Sequence, residues 1–159
     1  MKRSALLSLS LGLLTLGKLT APALAEEPAA PSSPPQPLTY ESLKAWHEAG
    51  GLKSYFWPKE HRVDLNGDGE PEVLLGTLGY SRGMSYALFT QKGGAWVLVG
   101  ENIEGSHHEP QAAQQEHDGW RDLETLQADG RGAVNQLTYR WENGSYRLKD
   151  SRKVAIKPD

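Results

Sequence analysis

The sequence contains no cysteine among its 159 residues. Disulfide bonds, thiol nucleophiles and zinc–thiolate sites are therefore excluded. A folded domain in this chain must be held together by its apolar core, or by a bound metal ion that uses other ligands.

Long apolar runs are also missing. The most apolar segment, Ala5–Leu19, is too short and too often interrupted by polar residues to cross a membrane. It follows the basic pair Lys2 and Arg3 and precedes the small-residue sequence Ala23-Leu24-Ala25. This order predicts a cleavable signal peptide over residues 1–25 and a periplasmic or secreted location, the alternative being a buried N-terminal helix. Since no cysteine follows, we expect no lipid or membrane anchor after cleavage.

Basic residues are outnumbered, seventeen to twenty, by acidic ones. Three of the basic residues and none of the acidic ones lie in residues 1–25, so cleavage would leave a net charge of −6. An acidic chain of this kind is a poor candidate for binding nucleic acid or an anionic membrane.

The organisation predicted for the rest of the chain is simple. Residues 26–37 are rich in proline, alanine and serine, which predicts a flexible linker. Residues 38–159 are enough for one globular domain with a single core.

Within that domain, the sequence predicts an α+β fold. Tyr40, Leu43 and Trp46 recur at helical spacing after Thr39, a possible N-cap, and indicate one short amphipathic helix. The following segments, rich in Val, Leu, Tyr and Trp, indicate strands joined by tight turns such as Asn143-Gly144. We therefore expect a short N-terminal helix packed on a mainly antiparallel β-sheet meander.

One loop carries recognisable chemistry. In the segment Val63–Val73, Asp64, Asn66 and Asp68 alternate, and Gly69 follows the last of them. Oxygen ligands at positions 1, 3 and 5 of a tight loop converge on one point, which glycine at position 6 helps to shape. The main-chain carbonyl of Glu70 would fall at position 7 and the carboxylate of Glu72 at position 9, giving a set of oxygen ligands suited to calcium.

The loop is nevertheless not a helix–loop–helix EF-hand. Position 12 is Leu75 rather than glutamate, and the residues after Pro71 favour a strand. The segment resembles instead the FG-GAP/VCBS-type repeats of exported bacterial proteins, whose D-x-[DN]-x-D-G-x-x-[DE] loop joins strands and binds calcium. The resemblance covers one copy, from Val63 to about Gly76, and implies that the ligands are Asp64, Asn66, Asp68, Glu70 through its main chain, and Glu72. The Phe-Gly and Gly-Ala-Pro signatures of those repeats are absent.

The simplest alternative is an ordinary polar turn, because Asn, Asp and Gly all favour turns. If calcium does bind, we expect a structural role, clamping the entry of a strand in a domain without disulfides. Magnesium or sodium are further alternatives, which the number of oxygen ligands disfavours.

Other candidate sites are weaker. His107, His108, Glu109, His117 and Asp118 have the side chains of a transition-metal site, but their spacing fits no established pattern, and the segment is interpreted as a solvated loop. Asp122 and Glu124 are two residues apart on a predicted strand and are interpreted as a solvated edge rather than a glycosidase pair. The five tryptophans suggest carbohydrate binding or, more simply, strand packing.

The sequence therefore predicts an exported domain with one calcium loop, acting as a structural or binding module rather than as an enzyme. The expected partner is a protein or a glycan of the cell envelope. An inhibitor of an envelope enzyme or a glycan-binding protein is the alternative. A hydrolase that uses the stretch from His107 to Asp118 is less favoured, because no catalytic constellation is present.

Overall fold

The computed structural model describes residues 33–52, 58–106, 108–129, 131 and 133–155. The predicted signal peptide and the start of the predicted linker lie outside these residues. Residues 33–37 of the linker form neither helix nor strand. None of the helices among the described residues has both the length and the apolar character needed to cross a bilayer.

The domain begins with one short helix, α1, at Tyr40–Glu48. Its N-cap is Thr39, whose side chain accepts a hydrogen bond from the backbone N–H of Ser42, while the Ser42 hydroxyl accepts one from the N–H of Thr39. These reciprocal bonds satisfy backbone donors that the first helical turn leaves free. Leu43 and Trp46 are the buried residues of the helix.

Eight strands follow and form two antiparallel four-stranded sheets. In each sheet the strands are ordered as they occur in the sequence. The first sheet contains β1 (Glu60–Val63), β2 (Glu72–Tyr80), β3 (Gly83–Lys92) and β4 (Ala95–Gly105). The second contains β5 (Gln111–His117), β6 (Trp120–Ala128), β7 (Val134–Glu142) and β8 (Ser145–Val154).

The prediction of an α+β class is wrong, and the domain is mainly β. A nine-residue helix that buries two side chains is too small to cover a four-stranded sheet. The second sheet supplies the missing apolar surface instead. Leu123, Leu137 and Tyr139 of the second sheet join residues such as Leu88 and Ile103 of the first in one core.

Two tight turns with left-handed residues join consecutive strands of the second sheet. Asn143 and Gly144 have φ angles of 50° and 84°, which confirms the predicted left-handed turn between β7 and β8. A second pair of this kind, Asp118 (φ 52°) and Gly119 (φ 79°), joins β5 to β6 in a segment that had been interpreted as a solvated loop. The polar strand β5 lacks the β-branched and aromatic residues that normally reveal a strand, because it lies at a sheet edge and is largely exposed.

Candidate functional site

The predicted calcium loop is the connection between β1 and β2. The register pairs Val63 with Glu72, so residues 64–71 leave the sheet and return to it at one place. Gly67 and Gly69 have φ angles of 73° and 87°, in the left-handed region that other residues rarely adopt. The pairing of β1 with β2 and the two glycines together give the loop a tightly coiled backbone.

Three side chains of the loop hydrogen-bond to its own backbone. Oδ1 of Asp64 accepts from the N–H of Gly67 at 2.7 Å, and Oδ1 of Asn66 accepts from the N–H of Asp68 at 3.0 Å. Oδ1 of Asp68 accepts from the N–H of Glu70 at 2.8 Å. Each of the two aspartates thereby retains a second oxygen, Oδ2, for another partner.

Glu72 forms the floor of the loop and is only 1% exposed. Its Oε2 accepts from the backbone N–H of Leu65, and its Oε1 accepts from the Thr90 hydroxyl, both at 2.8 Å. Burial raises the pKa of the Glu72 carboxyl, an effect that the hydrogen bonds from Leu65 and Thr90 oppose. No lysine, arginine or histidine among the described residues forms an ion pair with this carboxylate.

The side-chain amide of Asn66 connects two of the carboxylates. Its Nδ2 donates to Oδ2 of Asp68 at 2.8 Å and lies 3.3 Å from Oε1 of Glu72. The structure thus brings Asn66, Asp68 and Glu72 together around one point, where a positively polarised N–H group lies between two carboxylate oxygens.

Asp64 lies apart from this group, because its Oδ2 faces the second sheet, 4.0 Å from Nη2 of Arg121. The side chain of Glu70 is exposed, which agrees with a predicted role for its main-chain carbonyl alone and leaves that role a prediction. Within the described part of the chain, no three His, Asp or Glu side chains gather in a metal-binding arrangement. Carboxylate and amide oxygens fit calcium, but Asn66 presents its Nδ2 rather than its oxygen to the two carboxylates, and Oδ2 of Asp64 lies near Arg121.

The loop also joins the two sheets through Leu65. This side chain is completely buried in the common core. Its N–H donates to Glu72, as described above, and its carbonyl oxygen accepts from the N–H of Arg121 in β6 at 2.7 Å. Anything that stabilises the loop therefore also stabilises the contact between the sheets.

A small depression lies beside the loop, with Arg62, Asp68, Glu70 and Trp96 in its wall. Its volume is about 80 Å³, well below the roughly 300 Å³ at which ligand pockets begin. Trp96 stacks on Tyr40 with ring centroids 4.3 Å apart. The depression therefore does not favour a pocket for a sugar ring at this place.

The predicted histidine cluster does not form one site. His107 lies outside the described residues. His108 and Glu109 precede β5 in the sequence and line a cavity of about 330 Å³. His117 is the last residue of β5. A seven-residue strand is roughly 20 Å long, so the two histidines are too far apart to share one metal ion.

The interpretation of Asp122 as part of a solvated edge is wrong. The Asp122 side chain is 1% exposed. One oxygen lies 3.3 Å from Nη2 of Arg140, and the other lies 3.6 Å from Nε2 of His117 without a hydrogen bond. The only available signal was the alternation of β6, and it did not reveal that β5 and β7 would cover this carboxylate.

The tryptophans act mainly in packing. Trp46 and Trp141 are buried, and Trp120 stacks on Trp141 with ring centroids 4.3 Å apart. Trp57 lies outside the described residues. The described tryptophans thus contact other aromatic rings of the domain, as expected for strand packing.

A pH effect arises from His61, which is 8% exposed and packs edge-on against the ring of Tyr86. Burial lowers the pKa of the His61 imidazole, although the charge of Glu109 and a backbone hydrogen bond at Ser106 oppose this. Below about pH 6.5 the unfolded chain takes up a proton that the folded state resists. We therefore expect the free energy of unfolding to fall as the pH decreases from 7.5 to 5.

This expectation is tested by urea unfolding of the wild type and of His61→Gln across that pH range. The variant should lose part of the pH dependence, so that the difference between the two proteins grows toward neutral pH. His47→Gln is a useful comparison, because burial also lowers the pKa of His47, whose Nε2 lies 2.7 Å from the carbonyl oxygen of Gly76. Parallel pH profiles of wild type and His61→Gln would show that His61 does not cause the pH dependence of stability.

Comparison of the chain with protein-family models, with curated proteins and with solved structures gives no match. The resemblance of Val63 to Gly76 to FG-GAP/VCBS-type repeats therefore stays a prediction, and function is inferred from the geometry of the loop.

Proposed function

We propose that the domain is an exported structural or binding module whose Asp64–Glu72 loop binds calcium. The observation that carries this proposal is Glu72, a carboxylate that is 1% exposed and has no basic side chain paired with it in the described structure. Buried charges in proteins are normally paired or coordinate a metal ion. A cation in the loop would supply the missing positive charge.

The neighbouring groups support the choice of calcium. Asp68 and Asn66 already lie beside Glu72, and all three side chains carry oxygens of the kind that calcium prefers. The Asn66 N–H group lies between two carboxylate oxygens. A cation bound at this position would replace the weaker partial positive charge of the N–H group. Asp64 would complete the site by exchanging its contact with Arg121 for the metal.

The role that follows is stabilisation of the fold. Leu65 lies inside the loop and hydrogen-bonds to Glu72 on one side and to β6 on the other. A metal ion bound to the loop would fix this link between the sheets in a domain that has no disulfide bonds. Calcium near a millimolar, as outside the cytoplasm, is enough to fill even a weak site of this type.

The test is thermal unfolding of the mature domain in calcium and in EGTA. At a calcium concentration one hundred times the dissociation constant, binding to the folded state alone adds about 2.7 kcal/mol. For a domain of this size we expect Tm to rise by roughly 10 °C. The Asp64→Ala/Asp68→Ala variant should show no rise, because it removes two ligand side chains.

The matched control is Glu101→Ala/Glu116→Ala, which removes two exposed carboxylates outside the loop. It should retain the full response to calcium. Equal melting of the wild type in calcium and EGTA would overturn the proposal, as would an undiminished response in the Asp64→Ala/Asp68→Ala variant. Repeating the experiment in magnesium identifies which ion the loop prefers.

A further inference from the structure

The last strand, β8, is an exposed edge of the second sheet. Among the described residues it pairs only with β7. Residues 147–153 are exposed one after another, and they include Leu148, whose exposed fraction is 54%. A strand that packed one face on a core would instead alternate between buried and exposed positions.

The reason lies in how far the first sheet reaches. Tyr146 is buried, and its Cβ lies 3.4 Å from the point where a Cβ on Gly100 of β4 would stand. The close approach of the two sheets therefore occurs at the beginning of β8. From Arg147 to Lys153 neither side of the strand is covered.

The exposed part of β8 is basic, although the protein as a whole is acidic. Four of its residues are basic and one, Asp150, is acidic. Lys149 has an ion pair with Glu142, at 2.6 Å, and Lys153 lies 4.0 Å from Asp129. The basic residues are Arg147, Lys149, Arg152 and Lys153.

Arg147 and Arg152 have no acidic partner among the described residues, and Arg152 donates to the neutral amide oxygen Oε1 of Gln136, at 2.9 and 3.1 Å. The register places Arg147 opposite Arg140 on β7, an arrangement of like charges that costs stability. Arg140 is partly neutralised by Asp122, whereas Arg147 forms no ion pair or side-chain hydrogen bond with any other described residue.

The basic charges along β8 restrict which kind of strand can pair with its edge. Antiparallel pairing of β8 with a second copy of itself would place basic residues against basic residues, which natural edge strands use to prevent association. An acidic segment meets the opposite condition, since its carboxylates would face Arg147 and Arg152, which the register places on one side of the strand, with Leu148 on the other. The charge pattern thus rejects one class of strand and attracts another.

We propose that the free edge of β8 binds an acidic, extended segment of a partner protein by strand addition. Backbone hydrogen bonds to the edge provide affinity, the basic side chains select for acidic residues, and Leu148 offers an apolar contact. This binding site is separate from the calcium loop and does not depend on it.

The probe is a blocked nine-residue peptide of alternating glutamate and valine, titrated against the full mature domain at low salt. We expect binding, and slower hydrogen exchange at the backbone amides of residues 147–153. The same peptide with alternate N-methylated amides keeps every charge but loses the edge hydrogen bonds, and should bind at least about tenfold more weakly. The lysine–valine peptide should not bind.

Charge reversal on the protein completes the test. Arg147→Glu is expected to weaken binding of the glutamate–valine peptide about tenfold. Arg82→Glu is the matched control, because Arg82 is an exposed arginine in the turn between β2 and β3 of the other sheet, and it should leave binding unchanged. Cooperative thermal unfolding of both variants shows that they fold.

Several outcomes would overturn the proposal. Equal binding of the N-methylated peptide would reduce the effect to electrostatic attraction without strand pairing. Equal binding of the lysine–valine peptide would remove the charge selectivity, and absence of binding by the glutamate–valine peptide would reject the site. Concentration-dependent dimerisation of the wild type that protects residues 147–153 would make a second copy the occupant of the edge.

Discussion

Replacement of Leu65 by alanine is expected to lower the free energy of unfolding by about 2 to 5 kcal/mol, the range for large-to-small changes in a closed core. Leu65 is completely buried although it belongs to a polar loop. The backbone N–H and carbonyl of residue 65 remain in the variant, so the loss would measure packing alone. Chemical unfolding of the two proteins in EGTA gives the difference, which corresponds to a fall in Tm of roughly 10 °C or more.

The control for this prediction is Leu148→Ala. The same side-chain atoms are removed, but the exposed fraction of Leu148 is 54%, so we expect a change within about 0.5 kcal/mol. A similarly small effect at Leu65 would show that the loop is not inserted between the sheets. The structural role proposed for the metal ion would then lose its connection to the core.

The second large effect is expected at the buried ion pair of Asp122 and Arg140. Arg140→Met removes the cation 3.3 Å from a carboxylate that is 1% exposed. An unpaired buried charge of this kind costs about 3 to 5 kcal/mol, and the partial exposure of Arg140 places our expectation near 3 kcal/mol. Urea unfolding at neutral pH measures the loss.

The double variant Asp122→Asn/Arg140→Met should recover most of that loss, because it removes the charge that was left unpaired. Lys149→Met is the matched control for breaking an ion pair. The Lys149 and Glu142 side chains are 38% and 35% exposed, so breaking this pair should cost less than about 1 kcal/mol. Equal losses of stability in Arg140→Met and Lys149→Met, or no recovery in the double variant, would show that Arg140 does not neutralise a buried charge on Asp122.

Features that depend on neighbouring residues were predictable from the sequence. The helix from Tyr40, its cap at Thr39 and the turn at Asn143-Gly144 follow from local dihedral preferences and from hydrogen bonds that span a few residues. The tightly coiled backbone of the predicted calcium loop was predictable for the same reason. Aspartate, asparagine and glycine favour it without help from the rest of the chain.

Features that depend on strand pairing were not predictable. The sequence gives no sign that the chain leaves the first sheet after Gly105, because β5 is a polar edge strand. Missing that strand led to one sheet in place of two, and so to the wrong fold class. Asp122 was misjudged for the same reason, since its burial depends on Arg140 and His117 from the neighbouring strands.

The sequence by itself determined the local chemistry of this protein: which residues turn, which ones carry oxygen ligands, and the absence of disulfide bonds. Only the tertiary structure decided how these parts work together. Among the residues that the structure describes, it directs Asp64 toward Arg121, buries Glu72 without a basic partner, and leaves residues 147–153 of β8 exposed. Short-range dihedral and hydrogen-bonding preferences are encoded in adjacent residues, whereas burial and charge pairing depend on residues that come together only when the two sheets pack.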